Sequence, residues 1–208
     1  MAELTNLKID GARLWDSLME MAKIGATAKG GCNRLTLTDL DKQARELFAG
    51  WCEAAGCKMS VDRMGNMFAR RAGAEESLPP VMIGSHLDTQ PTGGKFDGVL
   101  GVLGGLEVLR TLKDLGIATR HPIEVVNWNN EEGSRFAPAM ISSGVFAGLY
   151  EQDFAHALRY LDARLNCNSA TFIHTQSQIL SGASYADSAR DSQGRLHRYF
   201  HRLLDGPP

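Results

Sequence analysis

A chain of 208 residues, 43% of them hydrophobic, is long enough to bury one large core or two small ones. Its 22 basic and 24 acidic residues leave a formal net charge of −2, so nothing electrostatic points to nucleic acid or an anionic membrane as a partner. No apolar run approaches the ~20 residues needed to span a bilayer. Met1 to Gly11 lacks the basic and apolar stretches of a secretory signal. Cys32, Cys52, Cys57 and Cys167 include no Cys-x-x-Cys pair, which predicts reduced thiols in or near a core and a cytoplasmic setting.

In chain order, Leu7, Leu14, Leu18, Met21 and Ile24 recur at three- and four-residue steps and predict an amphipathic helix over 7–24. Lys29-Gly30-Gly31-Cys32-Asn33 reads as a loop. Thr38 is positioned to cap a second helix whose third residue is Asp41, with Gly56 as its stop and Leu40, Ala44, Leu47, Phe48 and Trp51 as its apolar face. Residues 57–62 and 66–71 read as two short strands around Arg63-Met64-Gly65-Asn66. Leu78-Pro79-Pro80 breaks the chain before Val81-Met82-Ile83-Gly84, a run suited to a buried strand. Gly93-Gly94 is a tight turn, 98–113 an apolar helix ended by Gly116, and Ile123 to Trp128 the next strand. Strand–helix–strand order implies a right-handed parallel crossover. The predicted fold class is therefore α/β, a mixed, mainly parallel sheet with helices on both faces. Residues 153–165 predict one more helix, and from Asn166 to Pro208 neither a strong strand nor a repeat is visible.

Such a crossover brings the carboxyl ends of both strands to one rim, where ligand sites gather in open α/β sheets. His86 and Asp88 lie just past the first strand and Glu131-Glu132 just past the second, with Asp97 between glycines 94 and 98. Imidazole and carboxylate groups converging at one rim are the donor set of zinc-type ions. Two such ions can share a carboxylate and hold a water between them, which points to metal-assisted hydrolysis. Asp88 is placed to accept the second imidazole N–H of His86 and set its tautomer. Alone, each signal has a plainer explanation: a surface His–Asp pair, an Asp97 helix cap, a solvated acidic doublet. Their order and spacing carry the argument.

Four segments carry a family resemblance: Gly84-Ser85-His86-Leu87-Asp88-Thr89; Gly93-Gly94-Lys95-Phe96-Asp97-Gly98; Leu100-Gly101-Val102; and Asn130-Glu131-Glu132-Gly133-Ser134-Arg135-Phe136. From about residue 10 to about residue 154 the chain resembles the amidase branch of the zinc-dependent aminoacylase and carboxypeptidase superfamily. That branch includes N-carbamoyl-L-amino-acid hydrolases, β-ureidopropionases and allantoate amidohydrolases. The stretch Thr89-Gln90-Pro91-Thr92-Gly93-Gly94-Lys95-Phe96-Asp97 is more similar to the carbamoylase and ureidopropionase members. The resemblance implies two divalent metal ions (zinc, manganese or cobalt), with His86 and Glu132 on one ion each, Asp97 bridging both, and Glu131 as general base. It implies a small ureido or carbamoyl substrate cleaved to amino acid, carbon dioxide and ammonia, and homodimers for full-length relatives.

Family members are about twice as long. A metal histidine in a His-Ile-Glu-Gln-Gly segment, a lid and dimerisation domain, and a final metal histidine have no clear counterpart here. Phe172-Ile173-His174-Thr175-Gln176 echoes the first faintly, and His197 and His201 would share a helical face. Residues 1–155 are thus expected to be the N-terminal part of a catalytic domain, and 156–208 a divergent tail from a truncated or frame-shifted gene. The competing functions are an impaired amidohydrolase, a related allantoate amidohydrolase, aminoacylase or peptidase, and an inactive remnant.

Overall fold

The computed structural model describes residues 7–158. The tail expectations, including His174, His197, His201 and Cys167, lie outside the described residues. The first helix, α1, spans Gly11–Met21, shorter than its periodicity suggests, because the Asp10 side chain caps it by accepting the Arg13 N–H at 2.9 Å. Helix α2 (Asp39–Ala54) starts as expected, with the Thr38 hydroxyl accepting the Asp41 N–H at 3.3 Å. It stops at Gly56, whose φ of +86° lets the Cys57 N–H return to the Cys52 carbonyl at 3.0 Å.

Strands β1 (Lys58–Val61) and β2 (Met67–Arg71) form an antiparallel hairpin. Its turn is built by Asp62, whose Oδ1 accepts the backbone N–H groups of Met64 and Asn66, both at 2.9 Å. Strand β3 (Val81–His86), helix α3 (Val99–Asp114) and strand β4 (Ile123–Trp128) form the expected crossover, and β3 pairs β4 in parallel with Ile83 beside Val125 and His86 beside Trp128. Two short helices, α4 (Ile141–Phe146) and α5 (Gln152–Ala157), follow.

The sheet runs β1-β2-β4-β3. It is mixed, but β1–β2 and β2–β4 are antiparallel and only β3–β4 is parallel, so among the described strands it is not mainly parallel. The tight turn makes β1 and β2 antiparallel, and β2 also lies antiparallel to β4.

Period-two alternation divides the sheet faces. Met67, Ala69 and Val125 turn toward α2 and α3, where Phe48, Leu103 and Leu106 complete a buried core. Burying each such large side chain contributes roughly 1.5–3 kcal/mol. Gly105 lets α3 lie close on the sheet, since a Cβ there would meet both Val125 methyls at 3.1 Å. On the opposite face Phe68 and Trp128 stand edge to face, with ring centroids 6.1 Å apart, and Phe146 of α4 packs on both. Leu37, Met64, Phe136, Ile141 and Ala155 form a smaller second core. Cys32, Cys52 and Cys57 are buried free thiols, as expected. Among the described residues no helix is long and apolar enough to cross a membrane.

Candidate metal centre

The parallel register delivers both strand ends to one rim. His86 is the last residue of β3 rather than just beyond it, and is only 6% exposed. Past β4, Asn130 adopts φ +51° and Gly133 φ +63°, which folds the Glu131-Glu132 segment back toward His86. The result is one cluster in which a ligand atom from each of His86, Glu131 and Glu132 lies within 4.8 Å of the others.

The His86 ring is held by a backbone acceptor. Its Nδ1 lies 2.8 Å from the Asp88 carbonyl oxygen, while the Asp88 carboxylate is 3.7 Å away. A carbonyl can only accept, so Nδ1 carries the hydrogen. Nε2 then faces the Glu131 carboxylate at 3.3 Å. A bare nitrogen lone pair opposite a carboxylate is repulsive, so a cation, either a proton on the ring or a metal ion between the groups, belongs at that position. Glu132 has the same need: its Oε1 is buried and has no hydrogen-bond partner among the described residues. The donor set of one imidazole and two carboxylates suits a zinc-type ion.

Asp88 works differently from the sequence expectation. Its carboxylate leaves the imidazole to its own main-chain carbonyl and accepts the backbone N–H groups of Glu131 and Glu132, each at 3.2 Å. It therefore pins the acidic doublet to the end of β3. Burial, with Asp41 nearby as a second acid, pushes the Asp88 carboxyl up to about 7, against the opposing pull of His86 and the two N–H donors.

Asp97 is the departure. It is exposed before α3, and its carboxylate lies outside the cluster of His86, Glu131 and Glu132. Nor is it the cap. Gly98 takes that position without a side-chain bond, and the Asp97 carbonyl accepts the Val99 N–H at 2.7 Å. Gly98 approaches the ring closely: with φ +66°, an atom at its Cβ position would lie 2.4 Å from His86 Nε2.

A buried strap at 34–37 supports the rim, and sequence reasoning missed it. Arg34, fully buried, donates Nε to the Leu87 carbonyl at 2.7 Å and Nη1 to the Ile24 carbonyl at 2.7 Å. Its main chain pairs with Thr89 through Arg34 N to Thr89 Oγ1 at 2.7 Å and Thr89 N to the Arg34 carbonyl at 2.8 Å. Thr36 donates to Asn129 Oδ1 at 2.9 Å, and Arg135 donates to the carbonyls of Thr36 and Leu37 at 2.8 and 2.6 Å. The strap thus grips the segments that follow both β3 and β4. The available signal was an arginine inside an otherwise apolar and threonine-rich stretch, Arg34-Leu35-Thr36-Leu37.

Residues 82–181 match Peptidase family M20/M25/M40. The chain is 64% identical over 152 residues to an N-carbamoyl-L-amino-acid amidohydrolase of Rhizobium meliloti, covering 73% of this chain and 36% of that protein. It is 32% identical over 155 residues to a ureidoglycolate hydrolase of Arabidopsis thaliana, covering 74% of this chain and 32% of that one. The crystal structure of a hydantoinase/carbamoylase family amidase from Burkholderia vietnamiensis superposes with a TM-score of 0.80 at 58% identity, covering 83% of this chain and 41% of that one. The chain therefore spans about a third of the length of the curated relatives it matches.

Proposed function

We propose that this chain, which shares the N-terminal part of the hydantoinase/carbamoylase amidases, takes part in metal-dependent hydrolysis of the C–N bond of N-carbamoyl amino acids. The observation that carries the reading is the convergence of His86, Glu131 and Glu132, with His86 Nδ1 held by the Asp88 carbonyl and its Nε2 turned toward Glu131 at 3.3 Å. The family resemblance implies that His86 and Glu132 would each hold one divalent ion and that Asp97 would be shared by both; zinc, manganese and cobalt all suit these donors. A bound divalent ion supplies a Lewis acid that brings the pKa of a water toward ~7 and offsets charge on the attacked carbonyl oxygen. Glu131 takes the proton from that water and can return it to the departing nitrogen. Asp88 touches no reacting atom in this scheme; it positions the acids through their main chain.

The similarity to the ureidoglycolate hydrolase favours a second substrate within the same chemistry, a ureido acid bearing a hydroxyl. The test is ammonia release by the purified 208-residue chain, with metal content measured in parallel. N-carbamoyl amino acids, ureidoglycolate and a dipeptide are compared side by side. Metal bound above the level of H86A supports the site. Turnover of the dipeptide in preference to every ureido acid would replace this reading with a peptidase.

A further inference from the structure

We infer that Gln90 is a positioning residue for Glu132, holding one carboxylate oxygen so that only the other, Oε1, is presented to a cation. The inference rests on the metal reading above and adds the atom through which Glu132 acts. Gln90 Nε2 donates to Glu132 Oε2 at 2.9 Å. The other oxygen, Oε1, is buried and has no hydrogen-bond partner among the described residues. The two oxygens of one carboxylate are therefore unequal: one is satisfied by an amide, and one is desolvated and unpaired. A buried charged oxygen in that state carries a desolvation cost that a cation would offset.

The Gln90 side chain is exposed, yet its backbone is fixed. The Gly93 N–H and the Thr89 hydroxyl donate to the Gln90 carbonyl at 3.2 and 2.9 Å. Gly93 is in turn tied to Cys32 by two backbone bonds of 2.9 and 3.0 Å. Glu132 is fixed from the other side by its N–H on Asp88. Donor and acceptor are thus both held from their main chains, so the contact has only the two side chains left to order.

The residue type also fits. A lysine or arginine here would neutralise the carboxylate and compete with an incoming cation. A neutral amide occupies one oxygen and leaves the full negative charge for the ion, which favours attachment through a single oxygen. Partners that orient a metal ligand in this way are typically worth ~10–100-fold in metal affinity.

The test uses the 208-residue chain with cobalt(II) as probe. Affinity is read by chelator competition, and ligand geometry by the visible d–d spectrum. Wild type, H86A and Q90M are compared. Methionine keeps the length of glutamine and removes the donor without adding charge. Q90M is expected to bind cobalt ~10–100-fold more weakly with an altered d–d envelope, while its metal-free unfolding midpoint stays at the wild-type value because the side chain is exposed. If H86A loses cobalt but Q90M keeps wild-type affinity and spectrum, the Gln90 inference falls and the metal centre stands. If wild type binds cobalt no better than H86A, the metal centre falls and the inference with it.

Discussion

Asp88 and Glu132 are joined across the sheet rim: the Asp88 carboxylate accepts the Glu132 backbone N–H at 3.2 Å, and its other oxygen takes the N–H of Glu131 at the same distance. One side chain at the end of β3 therefore sets where both acids beyond β4 stand. Asp88→Asn keeps one acceptor and loses the other, so metal affinity should drop ~10–100-fold with the fold intact. Asp88→Ala leaves two N–H groups unpaired and should also cost about 1–3 kcal/mol of stability for each one that stays buried. Cobalt titration and urea denaturation of both variants check the two effects separately.

The same carboxyl gives a pH signature to the metal-free chain. Its folded pKa is raised, from 3.8 to about 7, so the folded state binds this proton more tightly than the unfolded state. The contribution is fully present below the unfolded value and is lost as pH rises through the folded one. Unfolding free energy should thus decline from about pH 4 to about pH 7 and then level off. Urea titrations in chelator across that range should show the decline in wild type and a flatter profile in D88N.

Two glycines on either side of the α3 start separate site from scaffold. Gly98→Ala places a methyl 2.4 Å from His86 Nε2 at φ +66°, so it should abolish metal binding and destabilise the chain. Gly104 sits inside α3 with nothing within 4 Å of an added Cβ, and Gly104→Ala should stabilise by ~0.5–1 kcal/mol. Thermal unfolding and cobalt binding of the pair give opposite signs if this geometry holds.

Helix α1 is fastened to α3 by a buried charge. Glu107, with a fully buried side chain, accepts Arg13 Nη2 at 2.7 Å and Nε at 2.9 Å. Arg13→Met removes the shortest bonds to that carboxylate and leaves it the Asp10 N–H and Thr111 hydroxyl at 3.3 Å and Arg110 at 3.8 Å, so it should cost about 1–3 kcal/mol. The surface pair Lys42–Glu46, at 3.6 Å, should cost less than ~0.5 kcal/mol when Lys42 is replaced by Met. Urea midpoints for K42M and R13M decide it, and only the K42M effect should shrink further in high salt.

Much of this was legible in the residues. Thr38, Gly56 and the Arg63–Asn66 turn act through local backbone chemistry, so their neighbours in sequence suffice to read them. A parallel crossover brings strand ends together, so His86, Asp97 and Glu132 were expected at one rim; the structure gathers His86 with Glu131 and Glu132 and leaves Asp97 outside that cluster. What escaped is tertiary. Arg34 is buried only because Leu87, Ile24 and Met21 present carbonyls to it, and those meet nowhere along the chain. Asp88 was assigned to the imidazole because spacing cannot distinguish its carboxylate from its own carbonyl. The sheet was read as mainly parallel because β2 and β4, more than fifty residues apart, advertise no pairing direction.

The β3–β4 pairing, with His86 beside Trp128, has a consequence for how a working molecule arises. Sliding β3 by a single position would swing the imidazole to the side occupied by α3, away from its acids. The gathering of His86 with Glu131 and Glu132 is then achieved in the same event as correct strand alignment.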